Sequence, residues 1–134
     1  MSKVYFCRKV RFHARHRYAI PGASCDENRR RFGASSQSHG HDWELTIWLE
    51  GPLAAETGMM VDLTRIDQVL AQDVTGRFHQ KEFNEADPFF RDHQPTNEVL
   101  AGYFAQRLAP RFEPVRLARL RIAEADDLFA EWHA

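Results

Sequence analysis

The stretch from His39 to Leu49 limits what this chain can fold into more than any other. From His41 onward one parity carries Trp43, Leu45, Ile47 and Leu49, and the other carries Asp42, Glu44, Thr46 and Trp48. Successive side chains of a strand point to opposite faces, so this alternation predicts a β-strand with one buried face. His39 and His41 share the parity of the apolar set, with Gly40 between them, so both imidazoles emerge on the core side. Two such rings lie about 6–7 Å apart along a strand and can converge on one ion, because zinc takes imidazole nitrogens at about 2.0–2.1 Å.

A zinc site needs a further ligand, and a second alternating run supplies a candidate. Val4, Phe6, Val10, Phe12, Ala14 and His16 share one parity, interrupted by Arg8, while His13 and Arg15 point the other way. His16 therefore leaves the core face of its strand as His39 and His41 leave theirs. Taken alone, the His-Gly-His triplet reads as a solvated turn and His16 as a satisfied core histidine. Taken together, on apolar faces of two strands, they point to a three-histidine metal site with a fourth position open, the pattern of a catalytic zinc.

These motifs occur in a recognisable order: Phe12-x-Ala14-x-His16, His39-Gly40-His41, Thr57-Gly58-Met59-Met60-Val61-Asp62, Pro95-Thr96-Asn97-Glu98, and Glu124 late in the chain. In that order the chain resembles the 6-pyruvoyl-tetrahydropterin synthase / 6-carboxytetrahydropterin synthase family over nearly its whole length. The resemblance implies Zn2+ on His16, His39 and His41. It implies a small-molecule pterin substrate whose ring is anchored by Glu124, with Thr96 and Glu98 as further substrate-binding residues. It also implies a tunnelling fold, in which the sheets of several subunits join into a barrel and active sites lie at subunit contacts. A homo-oligomer, a hexamer by resemblance, is therefore expected.

The remaining sequence predicts a single domain over residues 1–134. After the first strand, Arg17 to Gln37 reads as loop beyond Ile20, a wall or lid of the pocket between His16 and His39. Thr57-Gly58 turns the chain into a short strand at Met59-Met60-Val61. Asp62 then caps a helix carrying Leu63, Ile66, Val69, Leu70 and Val74, for which Gly76 is a stop. Arg77 to Gln94 reads as irregular. Pro95-Thr96 opens a second helix with Val99, Leu100, Tyr103, Phe104 and Leu108 on its apolar face and Pro110 at its end. A hairpin follows: Arg116, Ala118, Leu120, Ile122 and Glu124 on one face, a turn at Ala125-Asp126-Asp127, then Leu128, Ala130 and Trp132. The expected architecture is α+β: an antiparallel four-stranded sheet with two helices on one face.

Composition narrows the partners. Net charge is −1 with both signs interspersed, which argues against nucleic acid and against an anionic membrane. The run Arg29-Arg30-Arg31 reads as a solvated loop or, more sharply, as a contact for a phosphate-bearing substrate. No long apolar span and no signal segment are evident, and Cys7 and Cys25 make no disulfide framework, so a reducing cytoplasm is the expected location.

The departures from the family pattern fall on its base. In that family a cysteine shortly before His-Gly-His acts as the base, assisted by an Asp-His pair. Here Ser35 stands where the cysteine is expected, and a hydroxyl is far less acidic than a thiol near pKa 8.5. In Phe78-His79-Gln80, His79 replaces either the aspartate or, with one inserted residue, keeps the histidine role. His79 is the candidate replacement base, because imidazole titrates near pH 6.5, with Cys25 of the long loop a second candidate. The expected activity is that of a zinc-dependent synthase or lyase on 7,8-dihydroneopterin triphosphate or a related dihydropterin, similar to 6-carboxytetrahydropterin synthase. The alternatives are dihydroneopterin side-chain cleavage in a folate route, or pterin or purine binding without turnover.

Overall fold

A computed structural model describes residues 2–134. Its frame is a sheet in the order β3-β1-β2-β4-β5. The long strands are those the alternation predicts: β1 (Tyr5–His16), β2 (His39–Glu50), β4 (Arg116–Ala125) and β5 (Leu128–His133). They pair antiparallel in sequence, and His16 lies directly opposite His39 in the β1–β2 register. Phe12, Ala14, Trp43, Leu45, Ile47, Leu49, Leu120 and Ile122 point from the sheet into one continuous core. Against them pack α2 (Leu63–Leu70) through Ile66, Val69 and Leu70, and α5 (Asn97–Phe112) through Leu100, Phe104, Ala105 and Leu108. Fully burying a side chain such as Leu or Phe stabilises the fold by roughly 1.5–3 kcal/mol, so this layer holds the sheet to its helices.

Six expectations need correction. The sheet has five strands and is mixed, not four antiparallel ones: β3 (Lys81–Glu82) pairs parallel with Ala14 and Arg15. Two residues carry no readable period. This strand is set in place by Gln80, whose φ of 60° turns the chain and whose N–H donates to the His13 carbonyl at 2.6 Å.

The Arg17–Gln37 segment is not all loop. It contains α1 (Cys25–Phe32) and a short 3-10 turn, Gly33–Ser36. Ser24 caps α1 by accepting from the Glu27 N–H at 3.1 Å, and the acidic residues Asp26 and Glu27 sit in its first turn. This helix buries Asn28 alone, so no apolar stripe announced it.

Met59–Val61 forms no strand, because Gly58 N–H bonds back to Ala54 O and Ala54 N–H to Met59 O, closing a turn instead. Gly76 does not stop the helix. α2 widens into a π-helical turn at Ala71–Thr75 and runs on as α3 (Gly76–Phe78), with Gly76 packed where a Cβ would meet the Ala71 carbonyl oxygen. The irregular stretch after it holds β3, α4 (Phe83–Ala86) and a 3-10 turn at Pro88–Arg91.

Within β4 the register shifts opposite Trp48/Leu49. Leu117 thereby replaces Ala118 and Arg116 on the inner face, while Leu120, Ile122 and Glu124 keep it. Arg8, the interruption in the apolar parity of β1, reaches across to α2 as a two-pronged ion pair with Asp67, at 2.8 and 3.0 Å. Among the described residues no helix is long and apolar enough to cross a membrane.

Candidate metal centre

The register that places His16 opposite His39 also puts His41 opposite Ala14, so three imidazoles crowd one end of the inner face. Their ring centroids form a near-equilateral triangle: 4.5 Å for His16–His39 and 5.1 Å for each of the other two pairs. Trp43 forms the floor, edge-on to His16 at 5.0 Å and to His41 at 5.5 Å, and its Nε1–H donates to the Ala14 carbonyl at 3.0 Å.

Glu124 closes the group from β4, next to a shift in the β4–β5 pairing, the kind of irregularity that re-aims a side chain at functional sites. One ligand atom from each of His16, His39, His41 and Glu124 lies within 4.8 Å of all the others. A tetrahedral zinc with bonds of about 2.0–2.1 Å sets its ligand atoms about 3.3 Å apart. The separations of Glu124 Oε2 from His16 Nε2, 3.5 Å, and from His41 Nε2, 2.7 Å, bracket that value.

The hydrogen bonds decide which way the rings face. His16 Nδ1–H donates to Pro95 O and His39 Nδ1–H to Gln37 O, both at 2.8 Å. Placing the proton on Nδ1 leaves Nε2 as a lone pair, and this fixing of the tautomer by a backbone carbonyl is the usual arrangement behind a metal-bound histidine. His16 Nε2 and His41 Nε2 are buried and have no hydrogen-bond partner. His41 Nε2 is close to Glu124 Oε2 yet not aligned for a hydrogen bond, as two ligands of one ion would be.

Burial keeps the His16 and His41 rings neutral. Burial, opposed by the Pro95 hydrogen bond and assisted by the neighbouring histidines, pushes His16 down to about 4. Burial lowers His41 as well, against the Glu124 charge. Neutral, unpartnered nitrogens facing a carboxylate fit a divalent cation.

Other residues singled out in the sequence fall at different distances from this centre. Thr96 caps α5, accepting from Val99 N–H at 3.1 Å, and the exposed Glu98 lies in the same first turn. Ser35 sits in the 3-10 turn and its carbonyl accepts the Tyr18 N–H at 2.9 Å, which ties it to the segment leaving His16. His79 is at the sheet edge, where its Nδ1 accepts the His13 backbone N–H at 3.1 Å. A neutral ring in that geometry carries its proton on Nε2, so its free nitrogen is a donor. Cys25 is exposed at the first residue of α1, seven residues and so about 10 Å of helix from Phe32, the end that meets Tyr18. Arg29, Arg30 and Arg31 are exposed in the last turn of α1.

Two residues of the site are given no role from the sequence, Asn97 although it lies within the Pro95-Thr96-Asn97-Glu98 motif. Asn97 is buried at the start of α5 and donates through Nδ2 to Glu124 Oε1 at 2.8 Å, so it orients the carboxylate. Tyr18 stands edge-on to His16 at 5.1 Å and to His39 at 6.1 Å. Asn97 is overshadowed by its charged neighbour Glu98, and Tyr18, which continues the parity of His16, lies beyond the end of the strand where parity no longer assigns a face.

Fold and centre together define a small α+β domain with a three-histidine, one-carboxylate metal-binding cluster at the open end of its sheet. Residues 5–134 match the family model described as 6-pyruvoyl tetrahydropterin synthase, and the chain belongs to that family. It is 25% identical over 126 residues to 6-pyruvoyl tetrahydrobiopterin synthase of Dictyostelium discoideum, covering 94% of this chain and 93% of the relative. To the Homo sapiens protein of that name it is 25% identical over 122 residues, covering 90% and 84%. The fold is also that of Caenorhabditis elegans 6-pyruvoyl tetrahydropterin synthase, with a TM-score of 0.84 at 23% identity over 100% of this chain and 97% of that one. A variant of Plasmodium vivax 6-pyruvoyltetrahydropterin synthase in which a catalytic glutamate is changed to cysteine superposes with a TM-score of 0.68 at 13% identity, covering 100% and 99%.

Proposed function

We propose that the chain is a zinc-dependent synthase or lyase acting on 7,8-dihydroneopterin triphosphate or a related dihydropterin, in the manner of 6-carboxytetrahydropterin synthase. The observation that carries this reading is the convergence of two buried, unpartnered imidazole nitrogens and a carboxylate on one point, in a chain of the pterin-synthase family. Zinc at His16, His39 and His41 would polarise an oxygen of the substrate's side chain. With substrate bound, the three histidines would hold the zinc and Glu124, held at Oε1 by Asn97, would anchor the ring's N–H edge instead of closing the fourth metal position, with Thr96 and Glu98 at the adjoining start of α5.

Ser35 stands where the family's cysteine base is expected, and His79, expected from the sequence as the replacement base, would act instead as a proton donor through Nε2, because its Nδ1 already accepts the His13 N–H. A thiol is not the sole solution on this fold, since the Plasmodium vivax enzyme has a glutamate as a catalytic residue. Cys25 is the remaining candidate base. The two exposed thiols stay reduced in a cytoplasmic setting.

The functional unit is a homo-oligomer, a hexamer by analogy with the family. Two sheet edges support this. Among the described residues the outer side of β1 is paired only at Ala14 and Arg15, and β5 pairs only with β4. Val4, Tyr5 and Phe6 at one edge and Leu128 and Phe129 at the other are exposed, and long unpaired edges with exposed apolar side chains are ready to take another strand.

The test is turnover of 7,8-dihydroneopterin triphosphate by zinc-loaded protein, with the product resolved by chromatography and the chelated protein as control. Zinc-dependent formation of a 6-carboxy or 6-pyruvoyl pterin supports the proposal. Retention of metal and pterin without product at high enzyme concentration refutes it in favour of a binding protein.

A further inference from the structure

We propose that Tyr18 is a substrate-contacting residue of this centre, its hydroxyl donating a hydrogen bond to an oxygen of the side chain of the bound dihydropterin. The naming of the substrate rests on the function proposed above. The placement of Tyr18 does not.

Tyr18 lies two residues beyond the end of β1, in a tetrapeptide without regular structure, yet every N–H of that tetrapeptide is taken. Arg17 N–H is accepted by Asn84 Oδ1 at 3.0 Å, and Asn84 Nδ2–H donates back to Arg17 O at 3.0 Å. Tyr18 N–H goes to Ser35 O at 2.9 Å, Ala19 N–H to Gln94 Oε1 at 2.6 Å, and Ile20 N–H to Asn28 Oδ1 at 2.9 Å. The partners come from α4, the 3-10 turn, the loop before α5, and α1. A loop braced from four directions holds its side chains to the tolerance that a binding site requires.

Of those side chains, Tyr18 faces the metal-binding group. Its ring is wedged among His16, His39 and Phe32, the last at 5.8 Å. Its hydroxyl has no hydrogen-bond partner within the described residues, although it lies close enough to Glu124 and Glu98 to feel both charges. A phenol in that position is matched by an acceptor oxygen brought in by the ligand, and the pterin-family substrate carries oxygens on the side chain that would face the histidines. The competing assignment is packing alone, in which the ring seals α1 against the centre and the hydroxyl is incidental.

Tyr18→Phe and Tyr18→Leu in the full-length, zinc-loaded protein separate the two. Zinc content and unfolding temperature establish that each variant is folded and loaded. The dissociation constant for 7,8-dihydroneopterin, followed by ligand fluorescence, and KM and kcat for its triphosphate are then compared with wild type. One neutral hydrogen bond predicts weakening of about tenfold in the dissociation constant or in kcat/KM, equal for Phe and Leu. Wild-type values in Tyr18→Phe with loss in Tyr18→Leu assign the residue to packing and overturn the proposal. Should wild type bind dihydroneopterin but turn over nothing, the proposed activity falls and the dissociation constants alone decide Tyr18. Should wild type bind no dihydropterin at millimolar concentration, both readings fall.

Discussion

Replacing His39 by Ala is the sharpest test of the metal centre, because His39 is the ligand the fold needs least. Its ring is partly exposed, and its hydrogen bond runs to a carbonyl two residues away, Gln37 O. Losing that bond costs the metal-free fold about 1 kcal/mol. His16, by contrast, is fully buried, and removing it confounds metal loss with a core cavity.

Wild type at a free zinc concentration one hundred times its dissociation constant should gain about 2.7 kcal/mol from linkage. For a chain of 134 residues the unfolding entropy is about 0.28 kcal/mol per kelvin, so zinc should raise the unfolding temperature by about 10 °C. His39→Ala should unfold a few degrees lower than metal-free wild type and show almost none of the zinc shift. His133→Ala, an exposed histidine on the last strand, should keep all of it. The assay is differential scanning calorimetry of chelated and zinc-titrated protein, with bound metal counted by elemental analysis. A full zinc shift in His39→Ala, or its loss in His133→Ala, would place the metal elsewhere and refute the reasoning.

Further outcomes follow from the same structure. The metal-free protein should lose stability as pH falls from about 6.5 toward 4: His16 is held to about 4 when folded but titrates near 6.5 when unfolded, so the unfolded chain takes the proton first, a loss of about 3 kcal/mol in all. Urea midpoints that do not move between pH 7 and 5 would contradict this. Trp43→Phe should cost about 2–4 kcal/mol by chemical denaturation, since it opens a cavity at a fully buried site and removes the indole N–H bond to the Ala14 carbonyl. Glycines 40 and 76 should behave oppositely. Gly76→Ala drives a Cβ to 2.4 Å from the Ala71 carbonyl oxygen and should cost about 1–3 kcal/mol or more, because backbone must move. Gly40→Ala meets the exposed His13 ring at 2.8 Å, which can swing away, so stability and zinc binding should change little on a thermal scan.

The parts of this molecule that could be read from sequence are those whose determinants are local. Strand parity is a two-residue rule, so Trp43, Leu45 and Ile47 announced β2, and the same rule set His16, His39 and His41 on the core side before their rings were seen to converge. The register opposing His16 to His39 adds what parity cannot, namely that the two strand ends meet. Where the rule is broken by one residue it misleads. The shift at Trp48/Leu49 exchanges Ala118 for Leu117 in the core, and a bulge leaves no mark on hydropathy.

The segment that completes the site has determinants of another kind. β1 ends at His16 and the chain must leave the sheet, so its next four N–H groups lose their ladder partners. Buried backbone groups do not stay unpaired at a cost of about 1–3 kcal/mol each. Here the acceptors are Asn84, Gln94 and Asn28 side chains and one carbonyl of the 3-10 turn, at separations from 8 to 75 residues. Each of those polar residues reads in isolation as loop surface, and the helix carrying Asn28 is too charged to show an apolar stripe. The same hydrogen bonds that pay the debt of the broken strand thus aim Tyr18 at the histidines. Any substitution that frees Asn84 or Gln94 should therefore disturb the site without touching a ligand.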